Sequence, residues 1–280
     1  MPFIDMTREG NSVFFQETLA VTSPELTQSY ANAAPFPHIV IDDFMPIDIL
    51  REVAATFPEK NIEVNFSRSV ERGKVSFNPD KLQSSLHRSL FYSFNSRPFI
   101  ELIEQLTGID GLLPDPYFLG GGYHQTSNRG HLSVHADFNL HQKLRLKRRV
   151  NVLIYLNENW KSEYGGALEL WERDMSQKVQ SIEPIMNRCV IFNTDDTSYH
   201  GHPEPLNTPV SVSRRSIALY YYTASEAVFS EFSNRTTLFK PRKGTADKLS
   251  FSVRLLYILN DLLPPFLMRF LLTIVRKNGS

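Results

Sequence analysis

From position 131 to 139 the chain reads His-Leu-Ser-Val-His-Ala-Asp-Phe-Asn. Leu132, Val134, Ala136 and Phe138 form one apolar row, and His131, Ser133, His135, Asp137 and Asn139 form the other. Strict alternation specifies a half-buried strand, because successive side chains leave opposite faces. His135 and Asp137 lie two apart, so they leave the same face and can reach one ion together. A strand-borne His-x-Asp supplies two of the three ligands of a 2-His-1-carboxylate site, which leaves adjacent positions on the metal open. Taken alone, the pair fits an exposed polar strand face just as well. The rest of the chain has to supply the third ligand.

His200 and His202 are the candidates for it, in the run Thr-Asp-Asp-Thr-Ser-Tyr-His-Gly-His-Pro that follows the apolar segment Cys189–Asn193. His124, His131 and His141 compete less well: His124 precedes the loop before the metal strand, and His141 lies beyond the alternating row. Farther on, Arg214, Ser216, Ala218 and Tyr220 share one face of a strand, and Arg215 takes the other. An Arg-x-Ser pair beside a small residue suits a clamp for a terminal carboxylate. Two surface arginines on an edge strand fit the same pattern.

Around this centre the elements read in order. Residues 1–34 look like a peripheral arm, with Ser23-Pro24-Glu25 opening a short helix. A strand at His38–Ile41 and a helix over 47–57 follow. Residues 61–78 are polar and read as an irregular loop, either solvated or a lid. Two amphipathic helices are expected near 79–94 and 97–107. Beyond residue 113 the pattern turns to strands: 117–123, the metal strand, an alternating basic edge at 143–147, then 150–156, 167–171, 189–193 and 213–223. Many short strands with polar turns point to a sandwich or jelly roll. The tail 251–277 is apolar, but Pro264-Pro265, Asp261 and Arg269 break any membrane-spanning run. Two short helices are expected there, covering the sheet or making a homodimer contact, with docking on a membrane surface kept open.

The 30 basic and 30 acidic residues cancel, which gives no argument for nucleic acid as a partner. A single cysteine, Cys189, leaves no internal disulfide framework and suits a reducing, cytoplasmic setting. The first residues lack the basic start and apolar block of a secretory leader, so the sequon at Asn234 is read as incidental.

In order along the chain, His135-x-Asp137, His200 and Arg214-x-Ser216 resemble the 2-oxoglutarate- and Fe(II)-dependent dioxygenases, most closely their prolyl 4-hydroxylase-type branch. The run Val-Asn-Val-Leu-Ile-Tyr-Leu-Asn from 150 to 157, Trp160, Gly165-Gly166-Ala167-Leu168-Glu169-Leu170, Ile182-Glu183-Pro184 and the strand from Arg214 to Tyr222 match that pattern in order and spacing. Residues 35–57 resemble the entry segment of bacterial and ribosomal-protein-hydroxylase members.

The resemblance implies an α+β fold: a double-stranded β-helix, or cupin-like jelly roll, with N-terminal supporting helices and a C-terminal helical tail. One catalytic domain is expected, divided into an arm (1–34), a helical support layer (35–112), the core (113–224) and an extension (225–280). His135, Asp137 and His200 would bind iron. Arg214 and Tyr155 would hold the distal carboxylate of 2-oxoglutarate, with Ser216 beside them, and Tyr123 lies near a cofactor-contacting position. Asn139 and Asn151 are candidates to support the metal ligands. The register prefers His200 to His202 and Arg214 to Arg215.

The implied reaction hydroxylates a C–H bond with O2 and releases succinate and CO2, with L-ascorbate as a supporting reductant. A peptidyl-proline acceptor leads, and a small-molecule acceptor is the alternative. Two readings stand against this one. They are a non-catalytic jelly roll binding metal, glycan or peptide, and a cupin-like isomerase or hydrolase that uses no oxoacid.

Overall fold

The structure, a computed structural model, describes residues 1–16, 23–58, 64–68, 70–224 and 237–242, and single positions 244, 245, 247, 249, 251, 255 and 258. Most of the apolar tail, with the dimer and membrane-surface readings attached to it, lies outside the described residues. No described helix is long and apolar enough to cross a membrane.

The N-terminal arm folds as a hairpin, β1 (Met6–Glu9) and β2 (Ser12–Phe15). It is not peripheral. Ile4, Met6, Val13 and Phe15 are buried in the main core, and Ser89 Oγ on a later helix accepts a hydrogen bond from Val13 N. Helix α1 (Pro24–Ala31) starts as expected, with Ser23 Oγ accepting from Leu26 N and proline in the first turn. Strand β3 (His38–Ile41) and helix α2 (Ile47–Ala55) also lie where expected.

The polar stretch 61–78 is not an irregular loop. It carries β4 (Val64–Arg68) and β5 (Glu71–Phe77), a hairpin whose second strand joins the main sheet. Polar residues obscured it because Glu71, Arg72, Gly73 and Lys74 open its second strand, and only Val75 and Phe77 at its end reach the core. Helices α3 (Ser85–Phe94) and α4 (Arg97–Thr107) follow, then the short strand β6 (Leu113–Pro114).

Strand β7 (Gly122–Ala136) is one continuous 15-residue element. The expected strand at 117–123 is a turn ending where β7 begins. The expected basic edge at 143–147 lies mostly in a turn, 141–146, and enters a strand only at Lys147. Arg145 sits in the left-handed region at φ 59°, and His141 Nδ1 accepts the backbone N–H groups of Lys143 and Leu144. Alternating charge imitated a strand where a histidine caps a turn. The remaining strands are β8 (Lys147–Tyr155), β9 (Leu168–Trp171), β10 (Lys178–Ile182), β11 (Cys189–Asn193), β12 (His200–His202), β13 (Arg214–Thr223) and β14 (Leu238–Phe239).

The main sheet is antiparallel, ordered β10-β9-β12-β7-β13-β8-β11-β3, with β5 and β14 also pairing with β7. Its outer face carries Val150, Val152, Ile154, Ile191, Ile217 and Leu219, which pack against Leu50, Val53, Leu90, Phe94, Leu102 and Leu106 of the helices. Burial of each such side chain contributes ~1.5–3 kcal/mol, so the helical layer anchors the sheet. The inner face is mixed, with Tyr155, Leu168, Leu170, Val190 and Phe192 clustered among polar groups. The sheet curls into a half-barrel because β7 changes partner along its length. Its first half pairs with β13 (Thr126 opposite Arg214), and its second half pairs with β12 (His135 opposite His200).

Candidate metal and cosubstrate site

His135 and His200 face each other across the β7–β12 ladder, with ring centroids 4.6 Å apart. Asp137, two residues beyond His135, completes the group, and the three ligating atoms lie within 4.8 Å of one another. The histidine tautomers are fixed locally. His135 Nδ1 donates to Ser133 O at 2.9 Å and His200 Nδ1 to Ser198 O at 3.0 Å. A carbonyl can only accept, so each Nδ1 carries the proton and each Nε2 presents a lone pair. Those lone pairs face the carboxylate, His135 Nε2 at 3.5 Å from Oδ1 and His200 Nε2 at 3.5 Å from Oδ2. Three electron-rich atoms aimed at one point fit a divalent cation, and this donor set suits iron.

The electrostatics agree. Burial pushes His200 down to about 4, against an opposing pull from Asp137, so its ring is neutral and available as a ligand near pH 7. Burial alone would raise the Asp137 carboxyl, but Arg148, then His200 and His135, outweigh it and hold it well below the usual carboxylate range. Phe192 closes one side of the site edge-on against His200 at 4.8 Å, and Phe239 packs on the His135 ring at 5.3 Å. A cavity beside the metal strand is bounded by Val70, His131, Ser133, Pro203 and Phe239.

Farther into the half-barrel, Arg214 is buried, with 6% of its surface exposed. Its Nε donates to Gly166 O at 2.7 Å and its Nη2 to Tyr155 Oη at 3.2 Å. No carboxylate pairs with it among the described residues. Burial, partly offset by Tyr155, lowers its pKa. A buried guanidinium held only by neutral groups is costly unless an anion completes it. Ser216 is buried opposite Tyr155 in the β13–β8 ladder, on the face that carries Arg214. Arg215 points the other way, its guanidinium 4.6 Å from the Phe57 ring in the helical layer.

Tyr123 is not brought to this cluster. It is fully buried among Phe57, Phe91 and His87 on the helical side, and its hydroxyl bonds to His87 Nδ1 at 2.7 Å. Its neighbour His124 takes the inner face instead, opposite Ser216, and donates from Nε2 to Gly120 O. Strand alternation carries this signal, since Ile217 pairs with Tyr123 and Ser216 with His124. His141 lies outside the cluster, its Nε2 donating to Asp115 Oδ1 at 3.1 Å. His131 and His202 line the interior near the triad, and the Nδ1 of each is buried without a hydrogen-bond partner among the described residues. Asn151 donates from Nδ2 to Asp137 Oδ2 at 2.7 Å, and the Asn139 backbone carbonyl accepts from Arg148 N at 2.9 Å. Sequence reading overlooked Arg148, which reaches Asp137 Oδ2 at 3.0 Å. It lies just past the basic run at 143–147, and the turn at 141–146 gives it its inward aim.

Comparison with known proteins agrees with this arrangement. Residues 121–222 match the family model of the 2OG-Fe(II) oxygenase superfamily. A stretch of 82 residues, 28% of this chain, is 33% identical to the mouse prolyl 3-hydroxylase OGFOD1 and covers 15% of that protein's length. The fold resembles a prolyl hydroxylase from Trichoplax adhaerens solved with a hypoxia-inducible-factor peptide (TM-score 0.52, 21% identity, 70% of this chain and 87% of that one). It also resembles HygX from Streptomyces hygroscopicus solved with nickel, 2-oxoglutarate and hygromycin B (TM-score 0.53, 11% identity, 79% and 98%). The residues that match the 2OG-Fe(II) oxygenase superfamily model span both the convergent donor triad and the buried arginine.

Proposed function

We propose that this protein is an Fe(II)- and 2-oxoglutarate-dependent dioxygenase that hydroxylates a C–H bond and releases succinate and CO2. The observation that carries the reading is the convergence of His135 Nε2, His200 Nε2 and Asp137 in a half-barrel whose deeper end holds a buried arginine without an acid partner. In this reading His135, Asp137 and His200 hold the iron. Arg214, Tyr155 and Ser216 hold the far carboxylate of 2-oxoglutarate. Bound iron with 2-oxoglutarate and O2 supplies the oxidation itself. The chain's part is to bind, orient and exclude water. Arg214 completes its charge with the carboxylate, Tyr155 fixes the guanidinium, and Phe192 and Phe239 shield the two imidazoles.

The leading acceptor is a prolyl residue in a protein. The mouse relative is a prolyl 3-hydroxylase and two of the similar folds are prolyl hydroxylases. Ascorbate as a supporting reductant and a cytoplasmic setting belong to the same proposal, and the buried thiol of Cys189 suits a reducing compartment. The test is succinate formation from 2-oxoglutarate by metal-stripped protein given Fe(II) under air. Iron-dependent turnover lost in His135→Ala supports the reading, and turnover indifferent to iron or to that substitution rejects it. Mass spectrometry of proteins gaining one oxygen atom on proline only when the enzyme is active then tests the acceptor.

A further inference from the structure

The two oxygens of Asp137 have different surroundings. Oδ2 accepts from Asn151 Nδ2 at 2.7 Å and pairs with Arg148 Nη2 at 3.0 Å. Each oxygen also faces one imidazole lone pair at 3.5 Å, Oδ1 that of His135 and Oδ2 that of His200, so the Arg148 and Asn151 donors on Oδ2 are what set the two apart. Arg148 is held firmly. Its Nε and Nη2 both donate to Asn151 Oδ1, at 3.0 and 2.7 Å. Its guanidinium lies 3.4 Å from the Tyr220 ring centroid and 4.5 Å from that of Phe138. Only 2% of the residue is exposed. Its backbone N–H donates to Asn139 O, which closes the turn that brings it back beside Asp137.

A carboxylate with both oxygens free can chelate an ion through both and take a further coordination position. One whose second oxygen already accepts two strong donors offers the other oxygen alone. A fixed cation beside a ligating carboxylate also offsets its charge and leaves the metal more attractive to a dianion. We infer that Arg148, with Asn151, is a positioning residue that ties down Oδ2 and makes Asp137 a one-oxygen ligand through Oδ1, so that the positions 2-oxoglutarate needs stay open. This deepens the iron-site reading and rests on it.

The test uses full-length protein loaded with Co(II) under nitrogen, whose visible absorption reports coordination number, and titration with 2-oxoglutarate. Arg148→Met is expected to keep Co(II), to change the visible spectrum before 2-oxoglutarate is added, and to weaken 2-oxoglutarate binding roughly 10–100-fold, the usual scale for groups that orient a metal ligand. Arg148→Lys should recover most of both effects, which lost packing alone would not predict. If Arg148→Met fails to melt cooperatively, Asn151→Ala carries the test, with a smaller change in the same direction. A wild-type spectrum and wild-type 2-oxoglutarate affinity in a folded variant overturn the inference and leave the iron site standing. Failure of the wild-type protein to bind Co(II) overturns both.

Discussion

Arg214 Nη2 donates to the hydroxyl of Tyr155 at 3.2 Å, and this neutral oxygen is the side-chain partner of a guanidinium buried inside the half-barrel. The arrangement is preorganised for an anion, because the desolvation cost has already been met in the folded state. Arg214→Met should therefore raise the 2-oxoglutarate concentration for half-maximal turnover by at least about tenfold, the scale of one charge-assisted hydrogen bond. Metal affinity should stay close to wild type. Arg215→Met, whose side chain lies against Phe57, should leave both unchanged. The two titrations, followed by succinate production, check the register directly.

The metal triad predicts a stabilisation readable without substrate. Ligands that bind only the folded state raise stability by about 2.7 kcal/mol at a hundred times their dissociation constant. Ni(II) should raise the melting temperature of stripped wild-type protein, and His135→Ala or His200→Ala should remove most of that rise. His141→Ala should keep it, since His141 is tied to Asp115 away from the triad.

Gly166 sets the depth of the clamp. It sits at φ 72°, and a Cβ there would lie 2.5 Å from Leu206 Cδ2 and 3.1 Å from Arg214 Cδ. Gly166→Ala would strain the backbone and press on the arginine stem at once. The expected outcome is a raised 2-oxoglutarate requirement with metal affinity retained. Comparing nickel-induced melting shifts with 2-oxoglutarate titrations separates the two effects.

Tyr123 and His87 form a buried pair on the opposite side of the sheet. Thr56 Oγ1 donates to Glu52 O, so His87 Nε2 donates to Thr56 and its Nδ1 accepts from Tyr123. Tyr123→Phe should leave the 2-oxoglutarate requirement unchanged and cost about 1–2 kcal/mol of stability through the orphaned acceptor. Burial lowers the His87 pKa, although Glu52 and Thr56 oppose the shift. A depressed folded value means the unfolded chain takes up the proton first, near its usual ~6.5. This contribution to stability is full above that pH and is lost as pH falls toward the folded value. Denaturant unfolding of wild type and His87→Gln at neutral pH and near pH 5 should show a smaller acid loss in the variant.

The alternating row around His135 and Asp137 determined which strand carries the metal ligands and which face they share. Period-two alternation is a local property of the chain and survives into any sheet. The same holds for the apolar stripes of α2 and α4 and for the Ser23 cap, each of which lies where its residues require. The order His-x-Asp, His, Arg-x-Ser was likewise legible, and with it the resemblance to the 2OG-Fe(II) oxygenases.

What only tertiary structure decided is partnership. His200 becomes His135's neighbour because β12 pairs with the far half of β7, a contact across 65 residues that no local pattern encodes. The hairpin at 64–77 was hidden because Glu71, Arg72, Gly73 and Lys74 interrupt the apolar row, which only Val75 and Phe77 supply in its second strand. Tyr123 and His124 differ by one residue and so by a whole face of the sheet, a register that β13 fixes from outside. Arg148 follows directly on the basic run 143–147, and only the turn at 141–146 returns it to the Asp137 carboxylate. A sequence specifies which groups are present and their local periodicity, while the ladder that pairs distant strands decides which of them meet.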